Sequence, residues 1–491
     1  MMKIPFDNSY TRLPDDFYTK TSPTPVENPQ LIAFNQSLAD ELGLEVDPQE
    51  HDLAAVFSGN EIPDGAQPIA MAYAGHQFGG FSHQLGDGRA ILLGEVIGRD
   101  GKRYDIQLKG SGPTPWSRSG DGRSALGPVL REYLVSEAMA KLGAPTTRAL
   151  AAVTTGEEVA RNTLVPGGIL TRVASGFVRV GTFEYFAARR NIDAIRQLAD
   201  YEIGRHYPEA KDTDNPYAAF LSGVVERQAK LIARWMGLGF IHGVMNTDNM
   251  SIAGETIDYG PCAFMDEFSH NRVYSSIDRD GRYAYKQQAQ IGQWNLIRLA
   301  ESLVPLLDDE TQQAVSIAQD ILNAYQTQYE AYWLSEMRKK SGLFEAQDND
   351  QELIEELLDC MENNSADFTL TFHYLSLLEN EVGKADDALR QLFKQPGQFD
   401  AWAVKWRERL AKETLDESQR QARMQQKNPV YIPRNHQIEA AIRAAEDHND
   451  FSVFDDLHEV LQNPFTSQQG KEHYMLPPLP EQVVHQTFCG T

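Results

Sequence analysis

The stretch His242-Gly-Val-Met-Asn-Thr-Asp248-Asn249, followed nine residues later by Asp258-Tyr-Gly260, decides how this chain is read. Val244, two residues after the histidine, cannot accept a proton, which leaves Asp248 as the only carboxylate inside the loop. Asn249 and Asp258 are oxygen donors of the kind that magnesium or manganese accepts, with water and phosphate oxygens completing an octahedron. Asn and Asp in loops also cap turns with no ligand at all, so residue type alone leaves both roles open. Side chains at adjacent positions of extended backbone diverge. Asp248 can therefore face a hydroxyl whose proton it accepts while Asn249 faces a cation.

The spacing has the outline of a protein-kinase catalytic loop, His-Arg-Asp-x-x-x-x-Asn, with its later metal-binding Asp-x-Gly. His242 and Asn249 keep the seven-residue separation, but the carboxylate has moved from the position after the histidine's neighbour to the position beside the Asn. The expectation is kinase-type machinery for ATP and metal, put to a different transfer.

The surrounding chain is acidic, with 45 Lys and Arg against 70 Asp and Glu and a net charge of −25. Such a balance disfavours extended contact with nucleic acid or with anionic membranes. A nucleotide pocket then needs positive charge of its own. The hydrophobic fraction of 41% excludes general disorder. No apolar run approaches the roughly eighteen residues of a membrane span, and the first ten residues lack the apolar core of a secretory signal. Cys262, Cys360 and Cys489 make neither a disulfide framework nor a four-thiolate zinc site, so a reducing cytoplasm is the expected location.

At 491 residues the chain exceeds one ordinary core, which predicts two lobes with additions. Residues 1–80 mix turns with a helical stretch near 30–43 and read as an N-terminal extension. Residues 89–97 and 104–109 are rich in Ile, Leu and Val, and Gly98-Arg-Asp-Gly101 between them predicts a hairpin. The Gly, Ser and Pro-rich loop over 110–127 is too long for a simple connector. Pro128 then opens a helix to about Leu142, closed by Gly143, with one apolar stripe. A second amphipathic helix over 215–238 leads into His242, and the pattern beyond Asp258 is mostly helical to about residue 465, with acidic stretches such as 351–361 as solvated faces. The expected fold is α+β, bilobal and protein-kinase-like: extension over 1–80, small sheet-rich lobe with nucleotide-binding loops over 81–180, helical lobe with catalytic loop and metal site over 181–465, and a tail over 466–491.

Gly86-Asp-Gly88-Arg89 precedes the hairpin. Its glycines let backbone amides approach phosphate oxygens and Arg89 adds a charged donor, although Gly-Asp-Gly is also ordinary turn chemistry. Lys109 ends the second strand and Glu132 follows 23 residues later on the helix, the arrangement by which kinases orient a phosphate-holding lysine. Glu137 competes for that role, but about 140° in projection separates the two, so only one can face Lys109. A surface ion pair is the plain alternative. Arg172 and Arg179 flank residues 173–178; a helix would align them and a loop could converge them, and their forks suit a terminal phosphate as well as they suit solvent.

Taken together, these residues resemble the selenoprotein O family, the kinase-fold protein adenylyltransferases, over nearly the whole length. The most specific matches are Tyr73-Ala-Gly-His-Gln-Phe-Gly-Gly80, Gln84-Leu-Gly-Asp-Gly-Arg89, Gln107-Leu-Lys-Gly-Ser-Gly-Pro-Thr-Pro115, Gly120-Asp-Gly-Arg123, Leu170-Thr-Arg-Val173, the His242 to Asn249 loop, Asn428-Pro429 and Pro433-Arg-Asn435. The resemblance implies ATP bound back to front relative to a kinase, with AMP passing to a Ser, Thr or Tyr hydroxyl of a protein and pyrophosphate released. It implies nucleotide contacts at Gly86, Gly88, Arg89, Lys109, Asp121, Gly122, Arg172, Arg179 and Asp258, with Glu132 orienting Lys109. Asp248 is implied as proton acceptor, and Asn249 and Asp258 as ligands of magnesium or manganese. Bacterial relatives are also described as transferring UMP, which makes UTP an alternative donor. The animal members end in a Cys-x-x-selenocysteine motif, whereas this chain ends Phe488-Cys-Gly-Thr491, so a local redox pair is absent and a thiol switch would need a distant partner such as Cys262. A phosphotransferase whose loop begins His-Gly-Asp is opposed by Val244, and a non-catalytic nucleotide-binding scaffold by the retained metal-type donors.

Overall fold

The computed structural model describes residues 3–46 and 51–484; Cys489 lies outside them. The architecture is mixed α and β, a sheet-rich N-terminal region followed by a helical C-terminal region. The main sheet is antiparallel and runs in the order β1 (Tyr18–Lys20), β3 (Ile69–Met71), β6 (Ala90–Ile97), β7 (Arg103–Lys109), β10 (Leu164–Ala174), β9 (Arg148–Ala160) and β2 (Gln30–Phe34), with the short β8 (Ser124–Ala125) added to β10. The expected hairpin is β6 and β7. β6 is buried at every position except Ile97, which explains its near-continuous apolar sequence.

The helical stretch expected near 30–43 is instead β2 followed by the short helix α1 (Gln36–Glu41). β2 pairs with residues 151–154 of β9, and Asn35 caps α1 by accepting from Leu38 N at 3.0 Å. Pairing with a strand far along the chain overrides local preference here. Strands from the first 80 residues thus complete the same sheet that carries Lys109. A short helix α2 (Leu53–Ser58) packs under β9 and β10.

Helix α3 (Leu126–Lys141) begins two residues before Pro128 and ends ahead of Gly143, whose φ of +75° closes it. A single buried stripe was the expectation, but both faces are covered. One packs on β9 and β10, the other under α14 (Asn435–His448) and α15 (Ser452–Leu461), where Tyr133 meets the rings of Phe454 and His458.

Beyond the sheet come α4 (Val180–Ala188), α5 (Ile192–His206) and α6 (Pro216–Leu238). The helix expected over 215–238 is α6: Asn215 caps it by accepting from Ala218 N at 3.1 Å, Pro216 occupies its first turn, and Gly239 at φ +69° ends it. It packs against α7 (Gln288–Leu307) and α8 (Thr311–Lys340), and its buried residues include Phe220, Val224, Leu231 and Trp235. Helices α9 (Asp350–Asn364), α10 (Phe368–Leu375), α11 (Ala385–Arg390), α12 (Pro396–Leu410) and α13 (Glu417–Gln425) complete the series before α14. Among the described residues no helix is long and apolar enough to cross a membrane. Two short strands, β11 (Phe240–Ile241) and β12 (Ala263–Phe264), pair antiparallel and tie off the loop between them.

Candidate active site

His242 is the hub of that loop. It is buried beside Trp235, its Nε2 meets Ile257 O at 2.8 Å, and its Nδ1 accepts from Val244 N at 3.3 Å. Burial lowers its basicity, so the ring stays neutral and serves as a brace. Asn249 is turned back on the same loop, donating from Nδ2 to Val244 O at 3.0 Å.

Asp258 follows with φ +60°, a left-handed conformation that Asp tolerates better than most residues. Its carboxylate gathers three cations from three parts of the chain. Arg172 on β10 reaches Oδ1 at 2.6 Å, Arg179 at the start of α4 reaches Oδ2 at 2.6 Å, and Lys109 at the end of β7 stands 3.8 Å from Oδ1. Register explains the convergence of two of them, because Arg172 lies opposite Gln107, two residues from Lys109. Burial alone would raise the Asp258 carboxyl, but Arg172, Arg179 and Lys109 overcome it and hold the group well below the usual carboxylate range. Glu132 stands behind them, accepting from Lys109 Nζ at 2.6 Å and from Arg172 Nε at 2.5 Å. Glu137 faces elsewhere, binding Arg148 at 2.8 Å and Ala149 N at 2.9 Å. Lys109 therefore takes Glu132 as its partner. Burial, seconded by Arg172, brings its ammonium down to about 8.

Asp248 sits in a one-turn 3₁₀ segment, Thr247–Asn249, in a different environment. It is buried, its Oδ2 accepts from Gln77 Nε2 at 3.0 Å, and its Oδ1 has no hydrogen-bond partner among the described residues. Burial pushes its carboxyl up to about 6, against the opposing pull of the Gln77 amide and of Arg179. Arg179 bonds the loop itself, donating to Asp248 O at 2.6 Å.

These groups surround one cavity of about 530 Å³, within the range of small-molecule sites. Gly86, Gly88, Arg89, Lys109, Asp121, Gly122, Arg172, Arg179, Asp248, Asn249 and Asp258 all line it, and Glu132 supports it from behind. The lining holds seven Lys and Arg side chains against four carboxylates, a local excess of positive charge in a chain that is strongly negative overall. Gly86 and Gly122 have φ of +72° and +65°, and a Cβ at Gly86 would come within 2.9 Å of the Trp116 side chain, so turn geometry and packing account for both glycines. Asp121 lies at the exposed rim, its carboxylate bound to Arg161 at 2.8 Å.

Residues that the sequence reading did not single out complete the lining. Tyr73 lies under the Arg179 guanidinium, 4.7 Å from its ring centre, and Asp87 accepts from Met71 N at 3.1 Å while burial pushes its carboxyl up to about 6. Trp116 and Gln77 also face the cavity. Tyr73, Gln77 and Asp87 fall inside the glycine-rich motifs, but nothing in their spacing announces the contact. Among the described residues no cluster of three or more His, Cys, Asp or Glu could hold a metal ion by itself. Asn249 and Asp258 carry oxygens of the kind magnesium takes together with phosphate and water, but here both Asp258 oxygens are bound by guanidiniums.

What this cavity suits, by its volume and its excess of Lys and Arg, is an anionic ligand of nucleoside triphosphate size. The chain belongs to the family described as protein adenylyltransferase SelO, whose model matches residues 1–462. Over 489 residues it is 58% identical to the protein nucleotidyltransferase YdiU of Bradyrhizobium diazoefficiens, covering 99% of each chain. It is 56% identical to the protein of the same name from Rhizobium meliloti over 491 residues, the full length of both, and 56% identical to that of Rhizobium leguminosarum bv. trifolii over 488 residues, 99% of this chain and 97% of the relative.

Proposed function

We propose that this chain binds ATP between a sheet-rich and a helical lobe arranged as in a protein kinase, and transfers AMP to a Ser, Thr or Tyr hydroxyl of a protein. One observation carries the reading furthest: Asp248 lines the same cavity as Lys109, Arg172 and Arg179, and burial pushes its carboxyl up to about 6, near enough to neutrality for it to take a proton. As the acceptor oxygen attacks the α-phosphorus, its proton passes to Asp248, a new phosphorus–oxygen bond forms, and pyrophosphate leaves with the electrons of the broken α–β anhydride. The triphosphate tail lies against Lys109, Arg172 and Arg179 with its γ end inward, reversed relative to a kinase. Gly86, Gly88, Arg89, Asp121 and Gly122 contact the remainder of the nucleotide. Triphosphate oxygens compete with Asp258 for the two guanidiniums, which leaves an Asp258 oxygen, with Asn249, for magnesium or manganese. The cation offsets phosphate charge.

The test is the position of the label. Incubation with protein acceptors and α-labelled ATP gives labelled protein, the enzyme itself included, whereas γ-labelled ATP gives none. Label transferred only from the γ position would replace this reading with a kinase. UTP is the alternative donor, and competition between the two α-labelled nucleotides ranks them.

A further inference from the structure

The hairpin of β4 (Gly75–Gln77) and β5 (Gly80–Ser82) stands apart from the main sheet and lies across the catalytic loop. Three successive hairpin residues bind three successive loop residues. His76 N donates to Thr247 Oγ1 at 2.7 Å, Gln77 Nε2 to Asp248 Oδ2 at 3.0 Å, and Phe78 N to Asn246 Oδ1 at 3.1 Å. The brace is itself anchored: His76 Nδ1 lies 2.5 Å from Glu184 Oε1 on α4, and Thr247 Oγ1 donates to Glu184 Oε2. Tyr283 OH donates to Asn246 Oδ1 at 2.7 Å. Behind Asp248 there is no slack, because a Cβ at Gly75 would collide with its Oδ1, Cβ and Cγ.

The two-residue turn, Phe78-Gly79, has φ of +51° and +83°. Both signs suit a tight hairpin, but a bulky aromatic at the first position is costly, by about 1–3 kcal/mol, and such strain gathers where function requires a fixed geometry. The bond from Phe78 N to the catalytic loop, and its ring against Tyr283 at 5.1 Å, hold it there.

We infer that Gln77 is a positioning residue for Asp248: its amide ties down Oδ2 while Gly75 packs against Oδ1, so that the carboxylate is held in one orientation for the acceptor hydroxyl. This rests on the reading of Asp248 as proton acceptor. An ionised carboxylate only accepts hydrogen bonds, so the NH₂ end of Gln77 must face it. Among the described residues this is the one side-chain hydrogen bond that the Asp248 carboxylate makes. A neutral donor favours the charged form without imposing a full positive charge, and so opposes burial without removing the carboxylate's capacity to take a proton.

The experiment compares wild type, Gln77→Leu and Gln77→Glu in AMP transfer from α-labelled ATP over a pH series, with ATP affinity and Tm measured alongside. For Gln77→Leu, kcat falls about ten- to a hundredfold, KM for ATP stays within about twofold, and the acid limb of kcat/KM moves up by about one pH unit. Gln77→Glu keeps the shape but adds a like charge, so its limb moves further up. If Gln77→Leu loses its fold, the near-isosteric Gln77→Glu carries the test. A fall in rate with an unmoved acid limb in both variants would make Gln77 structural only and overturn the proposal. Unchanged kcat would overturn it too. Failure of wild type to transfer α-label at all would instead defeat the underlying reading of Asp248.

Discussion

Of the four carboxylates that line the cavity, Asp258 and Asp248 lie in contrasting neighbourhoods, and on the proposed reading that contrast separates their tasks. Asp258 is surrounded by Arg172, Arg179 and Lys109 and is held well below the usual carboxylate range; Asp248 is buried against the Gly75 to Phe78 hairpin, meets one neutral donor, and is pushed up to about 6. A permanently ionised group suits binding cations, and a group near neutrality suits moving a proton. Environments that drive two acids apart assign their roles more sharply than residue type does.

The strongest way to break this comparison is Asp258→Ala. Removing that carboxylate leaves Arg172 and Arg179 buried with reduced compensation, which costs about 3 kcal/mol or more in the free protein. Transfer is abolished, metal-dependent ATP binding weakens, and Tm falls. Because that binding is weaker, added ATP with the metal raises Tm less in this variant than in wild type. Normal activity in Asp258→Ala would contradict the cation assignment. Asp248→Asn is the complementary case: kcat falls about 10²- to 10⁴-fold, while Tm and ATP affinity, measured by calorimetry, change little. Equal losses of binding in both variants would erase the distinction.

The two buried glutamates of α3 sharpen the contrast on the support side. Glu132→Gln removes the charge that holds Lys109 and Arg172, and transfer falls about ten- to a hundredfold with a rise in KM for ATP. Glu137→Gln weakens the bonds to Arg148 and to Ala149 N, which lowers Tm but leaves kcat within about threefold. The sequence could say that only one glutamate faces Lys109, since helix geometry is local. It could not say what occupies the other side, because that partner arises where Arg148 enters β9. The same boundary runs through the rest of the molecule. α6 was legible from its amphipathic period to within a residue of Pro216–Leu238, and the β6–β7 hairpin from its turn. β9 and β10, though the longest strands, went unassigned, since a stretch mixing Ala, Thr, Gly and Glu has no clear period, and β2 was mistaken for helix because its pairing is distant. Arg172 and Arg179 were seen as a pair, but their meeting at Asp258 depends on sheet register and on the start of α4. Gln77 was invisible as a contact because 171 residues separate it from Asp248.

The smallest effect, and the most discriminating, is in the pH dependence of the wild-type enzyme. kcat/KM reports ionisations of the free enzyme. Asp248 must be ionised to accept a proton, so the rate rises with pH through about 6, where burial has pushed its carboxyl. Lys109 must stay protonated to hold phosphate, so the rate declines through about 8, where burial and Arg172 have brought its ammonium down. Asp258, held well below the usual range by its guanidiniums, remains ionised throughout and contributes to neither limb. A bell between these values is therefore expected, with Gln77→Leu displacing only its acid side and Glu132→Gln only its alkaline side, downward, because a carboxylate that stabilised the ammonium is gone. If both substitutions moved the same limb, Asp248 and Lys109 would be titrating as one coupled unit and the assignment of one limb to each would fail.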